Sequence, residues 1–362
     1  MTPHRLSPAV LAAVLAALLV PPPAAGLTPG EEATILLFRK AAAGVVNITS
    51  TQQEPGFAWH PVPEKGTGSG FVLDDHGHVV TSCGAVGDGQ SLEVTTRDGR
   101  RWPARLVGAD PATDIAVVEI RAPKKVLAGL PPLLLGQARD LAVGQRVWRV
   151  SDPFGEGPQL AEGLLAAKGR TLRTRAGLKI RGVLQTDIPV HPGAEGAPLL
   201  DSSGRVIGMC SLAFADTRAL AGIGFAVSAE VLQRIVPGLL ADGYVLHAWL
   251  GAEFETLSPA LARLTGLPVE RGAVLTRLFP QGPALDAGLR AGMKTVHLGN
   301  RTHRVGGDVI VAVDGKDVAS AAALEEMIDG RKPGTEVTLT LYRDGRRTTA
   351  KVRVEERPAA AP

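Results

Sequence analysis

Disulfide chemistry has almost nothing to work with in this chain, whose 362 residues hold two cysteines, Cys83 and Cys210. A small scaffold stapled by several bridges is excluded, and the pair is left either as one oxidised bridge or as two buried thiols. Aromatic residues are scarce at 4%, and the net charge is only +3, with Lys and Arg scattered along the chain. A nucleic-acid partner needs a basic face with interleaved rings, and neither is present. Beyond residue 20 no apolar run is long enough to cross a bilayer. No His or Cys pair has ligand spacing, so neither a metal nor a cofactor is expected.

Glycine and proline are plentiful, at 43 and 27 residues. With 45% hydrophobic residues the chain can bury full cores, and this punctuation favours many short strands joined by turns. Its length suits two domains. At the N-terminus Arg5 precedes an apolar stretch, Ala9 to Val20, followed by Pro21-Pro22-Pro23-Ala24-Ala25-Gly26. A basic start, a short apolar run and small residues at the break describe a secretory signal peptide over residues 1–26. The mature chain is therefore expected to be exported, to the periplasm or the extracellular space. No membrane anchor is expected after cleavage.

An amphipathic helix is expected within residues 27–44, over Glu31 to Ala43. Strand-sized runs follow, among them Val45-Val46-Asn47-Ile48, Gly70-Phe71-Val72-Leu73 and Ile115-Ala116-Val117-Val118. They point to a β barrel or sandwich spanning 45–240, closed by a helix from Ala229 to Ala241. A linker at 241–249 leads to a unit at 250–356 that mixes strands with a helix from about Ser320 to Ile328. The Pro- and Ala-rich tail, 357–362, is expected to be disordered.

Three segments carry more information, and they occur in a fixed order. The first is Gly68-Ser69-Gly70-Phe71-Val72-Leu73-Asp74, followed by Thr81-Ser82-Cys83-Gly84-Ala85-Val86. The second is Asp110-Pro111-Ala112-Thr113-Asp114-Ile115-Ala116-Val117. The third runs from Gln185-Thr186-Asp187 to Gly193-Ala194-Glu195-Gly196-Ala197-Pro198-Leu199-Leu200-Asp201. Together they resemble the trypsin-like protease domain of the HtrA/Deg family. That resemblance implies a mainly β fold, a trypsin-like double β-barrel, with a Ser-His-Asp triad in the cleft between barrels. A serine hydroxyl needs an imidazole to take its proton, and a carboxylate holds the imidazole in place.

Carried onto this chain, the family's Asp position is Asp114, its His position is Gly84 and its Ser position is Glu195. The oxyanion-hole N–H groups fall at Gly193 and Glu195. A carboxylate at 195 is expected to fold back onto those donors. His78, His191 and Cys83 are candidate substitutes for the missing groups. Each also has a plainer reading, as a strand-surface residue, a turn residue and a small buried thiol.

The C-terminal unit resembles an HtrA-type PDZ domain (α+β), through Trp249-Leu250-Gly251, Gly272-Ala273-Val274-Leu275, Gly307-Asp308-Val309-Ile310 and Val313-Asp314-Gly315. Such domains add an extended peptide as a strand and capture its carboxylate. The resemblance places the capturing loop at Glu270-Arg271-Gly272-Ala273 beside Val274-Leu275, with Leu324, Met327 and Ile328 lining the pocket. The segment Met293 to Val305 reads as a surface loop. The chain is thus expected to be an HtrA-like pseudoprotease, not an enzyme, that binds unfolded or C-terminal polypeptide segments in envelope protein quality control. Two alternatives stay open: an active serine-type endopeptidase, and a regulatory subunit of an active paralogue. The family implies a homotrimer or an assembly with that paralogue.

Overall fold

The computed structural model describes residues 26–54, 62–87, 91–174, 179–214 and 222–358. The signal-peptide reading falls, apart from Gly26, outside them, as does most of the tail. Helix α1 (Pro29–Ala41) opens with Thr28 as cap, whose hydroxyl accepts from Glu31 N–H while the Glu31 carboxylate accepts from Thr28 N–H. It starts two residues before the expected Glu31, because Pro29 at the first helical position needs no partner for its nitrogen.

Two closed six-stranded barrels follow. The first holds β1 (Val45–Glu54), β2 (Val62–Val72), β3 (His78–Ser82), β4 (Ser91–Thr95), β5 (Arg101–Asp110) and β6 (Ile115–Ile120). The second holds β7 (Arg146–Ser151), β8 (Gln159–Arg173), β9 (Lys179–Thr186), β10 (Pro198–Leu200), β11 (Val206–Cys210) and β12 (Gly224–Ser228). Closure comes from β1 pairing β4 and from β10 pairing β7, so neither sheet leaves an open edge. Inward residues are β-branched or small, such as Val46, Ile48, Val79 and Val118 in one barrel and Val147, Leu184 and Ile207 in the other. A third cluster, with Phe71, Val117, Met209 and Val227, joins the barrels to α2 (Ala229–Asp242), which packs on both. Burial of such side chains is worth about 1.5–3 kcal/mol each.

The C-terminal unit contains β13 (Ala248–Trp249), β14 (Ala252–Thr256), β15 (Ala273–Leu278), β16 (Lys294–Leu298), β17 (Arg301–Val305), β18 (Val309–Val313), β19 (Lys316–Asp317), β20 (Glu336–Arg343), β21 (Arg346–Arg353) and β22 (Glu355–Glu356). Its main sheet runs β14-β15-β18-β20-β21, with β19 on β18 and helix α3 (Ala321–Asp329) packed across one face. Ser320 caps α3 by accepting from Ala323 N–H at 3.1 Å. The segment expected to be a surface loop is instead a hairpin, β16–β17, pinned to β14 by His303 Nδ1 at 2.7 Å from Glu255 Oε1. Alternating apolar residues there (Val296, Leu298) supply the inward face that a free loop would lack.

Between the units, His247 bridges two buried carboxylates. Nε2 lies 3.0 Å from both oxygens of Asp110 at the end of β5, and Nδ1 lies 2.8 Å from Asp329 at the end of α3. Burial alone would lower the imidazole pKa, but the hydrogen bonds and charges of Asp110 and Asp329 outweigh it and raise it to about 9. Burial likewise opposes ionisation of Asp329, yet His247 and Arg234 hold its pKa down at about 2. Because the folded imidazole binds its proton more tightly than the ordinary 6.5, its stabilisation is complete below that pH and is lost as pH rises through about 9. The His247→Gln chain should therefore melt roughly 2–6 °C lower near neutral pH, for a loss of about 1–2 kcal/mol. The gap should narrow as pH climbs past about 9. Calorimetric melts from pH 6 to 10 read this directly, and identical curves for the two chains near neutrality would remove the bridge from the account.

Candidate active site and peptide groove

The cleft between barrels is positioned by a few buried hydrogen bonds. Ser69 on β2 donates from Oγ to Gly193 O (2.7 Å) and accepts from Asp152 N–H (3.0 Å), so one hydroxyl of the first barrel holds two loops of the second. Asn47 on β1 donates to Gly68 O (3.1 Å) and to Asp152 O (2.9 Å). The loop before β10 is fixed by Ser69 N–H donating to Glu195 O at 2.8 Å and by Gly196 N–H donating to Cys210 O at 2.8 Å. Gly196 has a φ of +79°, and a Cβ there would fall 2.9 Å from Ser82 N. Only glycine fits that turn.

Positions 84, 114 and 195 converge. Gly84 sits in a single helical turn, Cys83–Val86, capped by Ser82, whose Oγ accepts from Ala85 N–H at 3.1 Å. A Cβ built on Gly84 would lie 3.2 Å from Glu195 Cδ and 3.5 Å from its Oε1, and closer still to Oε2. The Glu195 carboxylate thus occupies the room that a side chain at 84 would take, with Oε2 3.4 Å from Ser82 Oγ. This differs from the expected fold-back onto the N–H groups of Gly193 and Glu195. The space left by glycine, with a hydroxyl at its edge, receives the charge instead.

Asp114 occupies the turn between β5 and β6 at a φ of +61°, is almost wholly buried, and accepts from Ser211 Oγ at 2.5 Å. Its carbonyl accepts from Cys83 N–H at 3.3 Å, which ties the turn to the Gly84 segment. Ser82 and Ser211 were missed in the sequence reading. Their only signal there is a hydroxyl at the end of a strand run, which is common.

The proposed substitutes are otherwise engaged. His78 opens β3, at the opposite end from Ser82, with Nδ1 2.7 Å from Asp74 Oδ2. His191 is exposed on the turn whose carbonyl accepts from Ala194 N–H. Cys83 directs its thiol to Ile115 O at 3.3 Å, and burial, with the charges of Asp114 and Asp110, pushes its pKa far above the ordinary range. Burial raises Cys210 to about 11, and both cysteines are free thiols. Such thiols stay protonated and make poor nucleophiles. Among the described residues no group of three or more His, Cys, Asp or Glu side chains forms a metal cage.

In the C-terminal unit the expected capture strand needs correction. β15, carrying Ala273, Val274 and Leu275, is hydrogen-bonded to β14 on one side and β18 on the other. A peptide cannot add to a strand whose two edges are both taken. Arg271 is exposed on the turn before β15, and Gly272 takes a φ of +147° there, its carbonyl accepting from Leu257 N–H. The open edge belongs to β14, the terminal strand of the sheet, which follows Trp249-Leu250-Gly251. Leu324 and Ile328 are buried on α3 against the sheet, with Met327 half-buried beside them. Ile328 also lines a cleft of about 330 Å³ with Trp249, Leu250, Ala252 and Phe254, between α3 and β14.

Comparison with known proteins follows this geometry. A trypsin-like peptidase domain matches residues 68–209, and a PDZ domain matches residues 248–354. The chain is 34% identical over 304 residues to a probable periplasmic serine endoprotease DegP-like of Halomonas elongata, covering 84% of this chain and 59% of that protein. It is 34% identical over 336 residues to Protease Do-like 1, chloroplastic, of Arabidopsis thaliana, covering 92% of this chain and 74% of that one. A solved structure of the HtrA-type protease AlgW with tripeptide matches with a TM-score of 0.72 and 27% identity, covering 89% of this chain and 96% of that one. The chain spans about three-fifths of the length of the first DegP-like relatives, 59% and 60%. The expectation that it is not an enzyme is overturned by these relatives, which are named serine endoproteases and match across positions 84, 114 and 195. The chain belongs to the HtrA family of trypsin-like serine proteases that carry a PDZ domain.

Proposed function

We propose that this chain is an exported, periplasmic serine-type endopeptidase of the HtrA family that takes extended polypeptide on its PDZ unit and acts on it in the cleft between the barrels. The support for docking is the single open strand edge, β14, beside the apolar cleft under α3. Main-chain hydrogen bonds to such an edge are sequence-tolerant, which suits unfolded or C-terminal segments as substrates. The support for hydrolysis is the endoprotease relatives, together with a hydroxyl facing a carboxylate across the cleft. The relatives named periplasmic support the location.

Gly84 and Glu195 rule out an imidazole at 84 and a hydroxyl at 195, so the cleft's own groups must serve differently. The pairing on offer is Ser82 Oγ with Glu195 Oε2. In that route Oγ bonds to the scissile carbonyl carbon and its proton passes to the Glu195 carboxylate. The proton then goes to the departing amine, and water splits the ester. N–H groups at Gly193 and Glu195 would hold the oxyanion, as the family resemblance implies. A carboxylate is a weaker base than an imidazole, so this chemistry is slow. Ser82 is buried beneath Glu195, so the acid must swing aside for substrate to enter.

Two experiments test the two halves. Incubation with unfolded casein should give slow cleavage by the native chain, reduced about tenfold or more in Ser82→Ala and in Glu195→Gln. The double variant Gly84→His with Glu195→Ser should exceed the native rate by on the order of 100-fold, since it restores an imidazole–hydroxyl pair. Unchanged rates in both single variants would dismiss the Ser82–Glu195 route, and a native chain that never cuts would dismiss hydrolysis altogether. For docking, hydrogen exchange with saturating peptide should slow amides of β14 and leave β15 unaltered, while Arg271→Ala binds within about twofold of native. Protection appearing on β15 alone would return the groove to the loop at 270–273.

A further inference from the structure

The cleft under α3 is not wholly apolar. Its far wall carries two guanidinium groups, Arg181 from β9 and Arg357 from just beyond β22. Arg357 is held in place by its backbone: N–H donates to His247 O at 2.8 Å, and β22 pairs with β13 immediately before it. Its Nε is buried with no hydrogen-bond partner, and its side chain forms no hydrogen bond or ion pair with any described residue. Burial, and then the neighbouring charge of Arg181, push its pKa down, with Asp329 and Glu325 acting in the opposite sense.

The nearby acids are already committed. Glu325 on α3 accepts from Arg181 at 2.6 Å and from Lys179 at 3.3 Å. Asp329 is taken by His247 and Arg234. Asp110 is taken by His247 and by Thr113 Oγ1 at 2.5 Å. Glu355 and Glu356 of β22 stand exposed to solvent. The junction therefore sets five cations (Lys179, Arg181, Arg234, His247, Arg357) against three paired carboxylates, leaving positive charge that nothing in the chain neutralises. A half-buried guanidinium without an acceptor is costly, and a carboxylate meeting its planar fork removes that cost.

We infer that Arg357, with Arg181 beside it, is the carboxylate-recognising side chain of this cleft, and selects polypeptides that bring a carboxylate to the end of the β14 groove. This rests on the peptide-docking reading above and adds the residue that sets its selectivity. The carboxylate comes either from the chain terminus or from an acidic last side chain.

Fluorescence anisotropy on the full chain tests this with a labelled hexapeptide, Ser-Ala-Thr-Leu-Ala-Val, carrying a free terminus, the same peptide amidated, and an amidated version ending in Glu. The native chain should bind the free-terminus peptide about tenfold or more tightly than the amidated one. Arg357→Gln should abolish that preference while keeping weak binding of both, with Arg357→Lys intermediate and the exposed Arg346→Gln unchanged. Matching melting curves exclude misfolding. If only the amidated Glu peptide shows the Arg357-dependent gain, the side chain is the carboxylate source and the inference holds. A preference that survives Arg357→Gln overturns it and leaves docking intact, whereas a native chain that binds none of the peptides overturns the docking reading itself.

Discussion

One buried hydroxyl sets the geometry of the cleft. Each barrel closes on itself through its own backbone ladder, so nothing within either one dictates how the two face each other. Ser69 supplies that link, donating to the Gly193 loop and accepting from Asp152. With Asn47 spanning the same gap, three loops from two separately closed sheets are brought to hydrogen-bonding precision. Positions 84, 114 and 195 converge as a result, although they lie on different elements far apart in the chain. Loss of a buried donor of this kind leaves several backbone groups unsatisfied at once, which is why a single oxygen can govern a whole site.

Charge plays the corresponding part at the junction with the C-terminal unit. The contacts there are ionic: His247 between Asp110 and Asp329, and Lys179 and Arg181 on Glu325. Asp110 also fixes the turn that carries Asp114, through Thr113 and Ala112. The helix that forms one wall of the peptide cleft and the turn that flanks the interbarrel site therefore share a single imidazolium. Buried charges of this sort are demanding about position because their desolvation is offset only while every partner is in place.

Local chemistry made much of this fold readable beforehand. Short β-branched runs between glycines announce strands, and ordered motifs place Asp114, Gly84 and Glu195 on one trypsin-like frame. What stayed hidden depends on partners distant in sequence. Val274 and Leu275 look like a peptide-binding strand until the sheet order shows both edges used, and strand order leaves no trace in a run of apolar residues. The direction of the Glu195 carboxylate depends on the empty space over Gly84, which belongs to another segment. His247 and Arg357 carry no motif at all. Their roles arise from packing of β13 and β22 against α3.

The crowding over Gly84 has an evolutionary corollary. A methyl group there would already collide with the acid at 195, so the two sites cannot drift independently. Across a set of related chains they should covary as one unit: a bare backbone at the first wherever a long acid fills the second, and a small residue at the second wherever the first carries a ring. Substitutions that are harmless in one background would then be disfavoured in the other, and any path between the two states must cross both positions together.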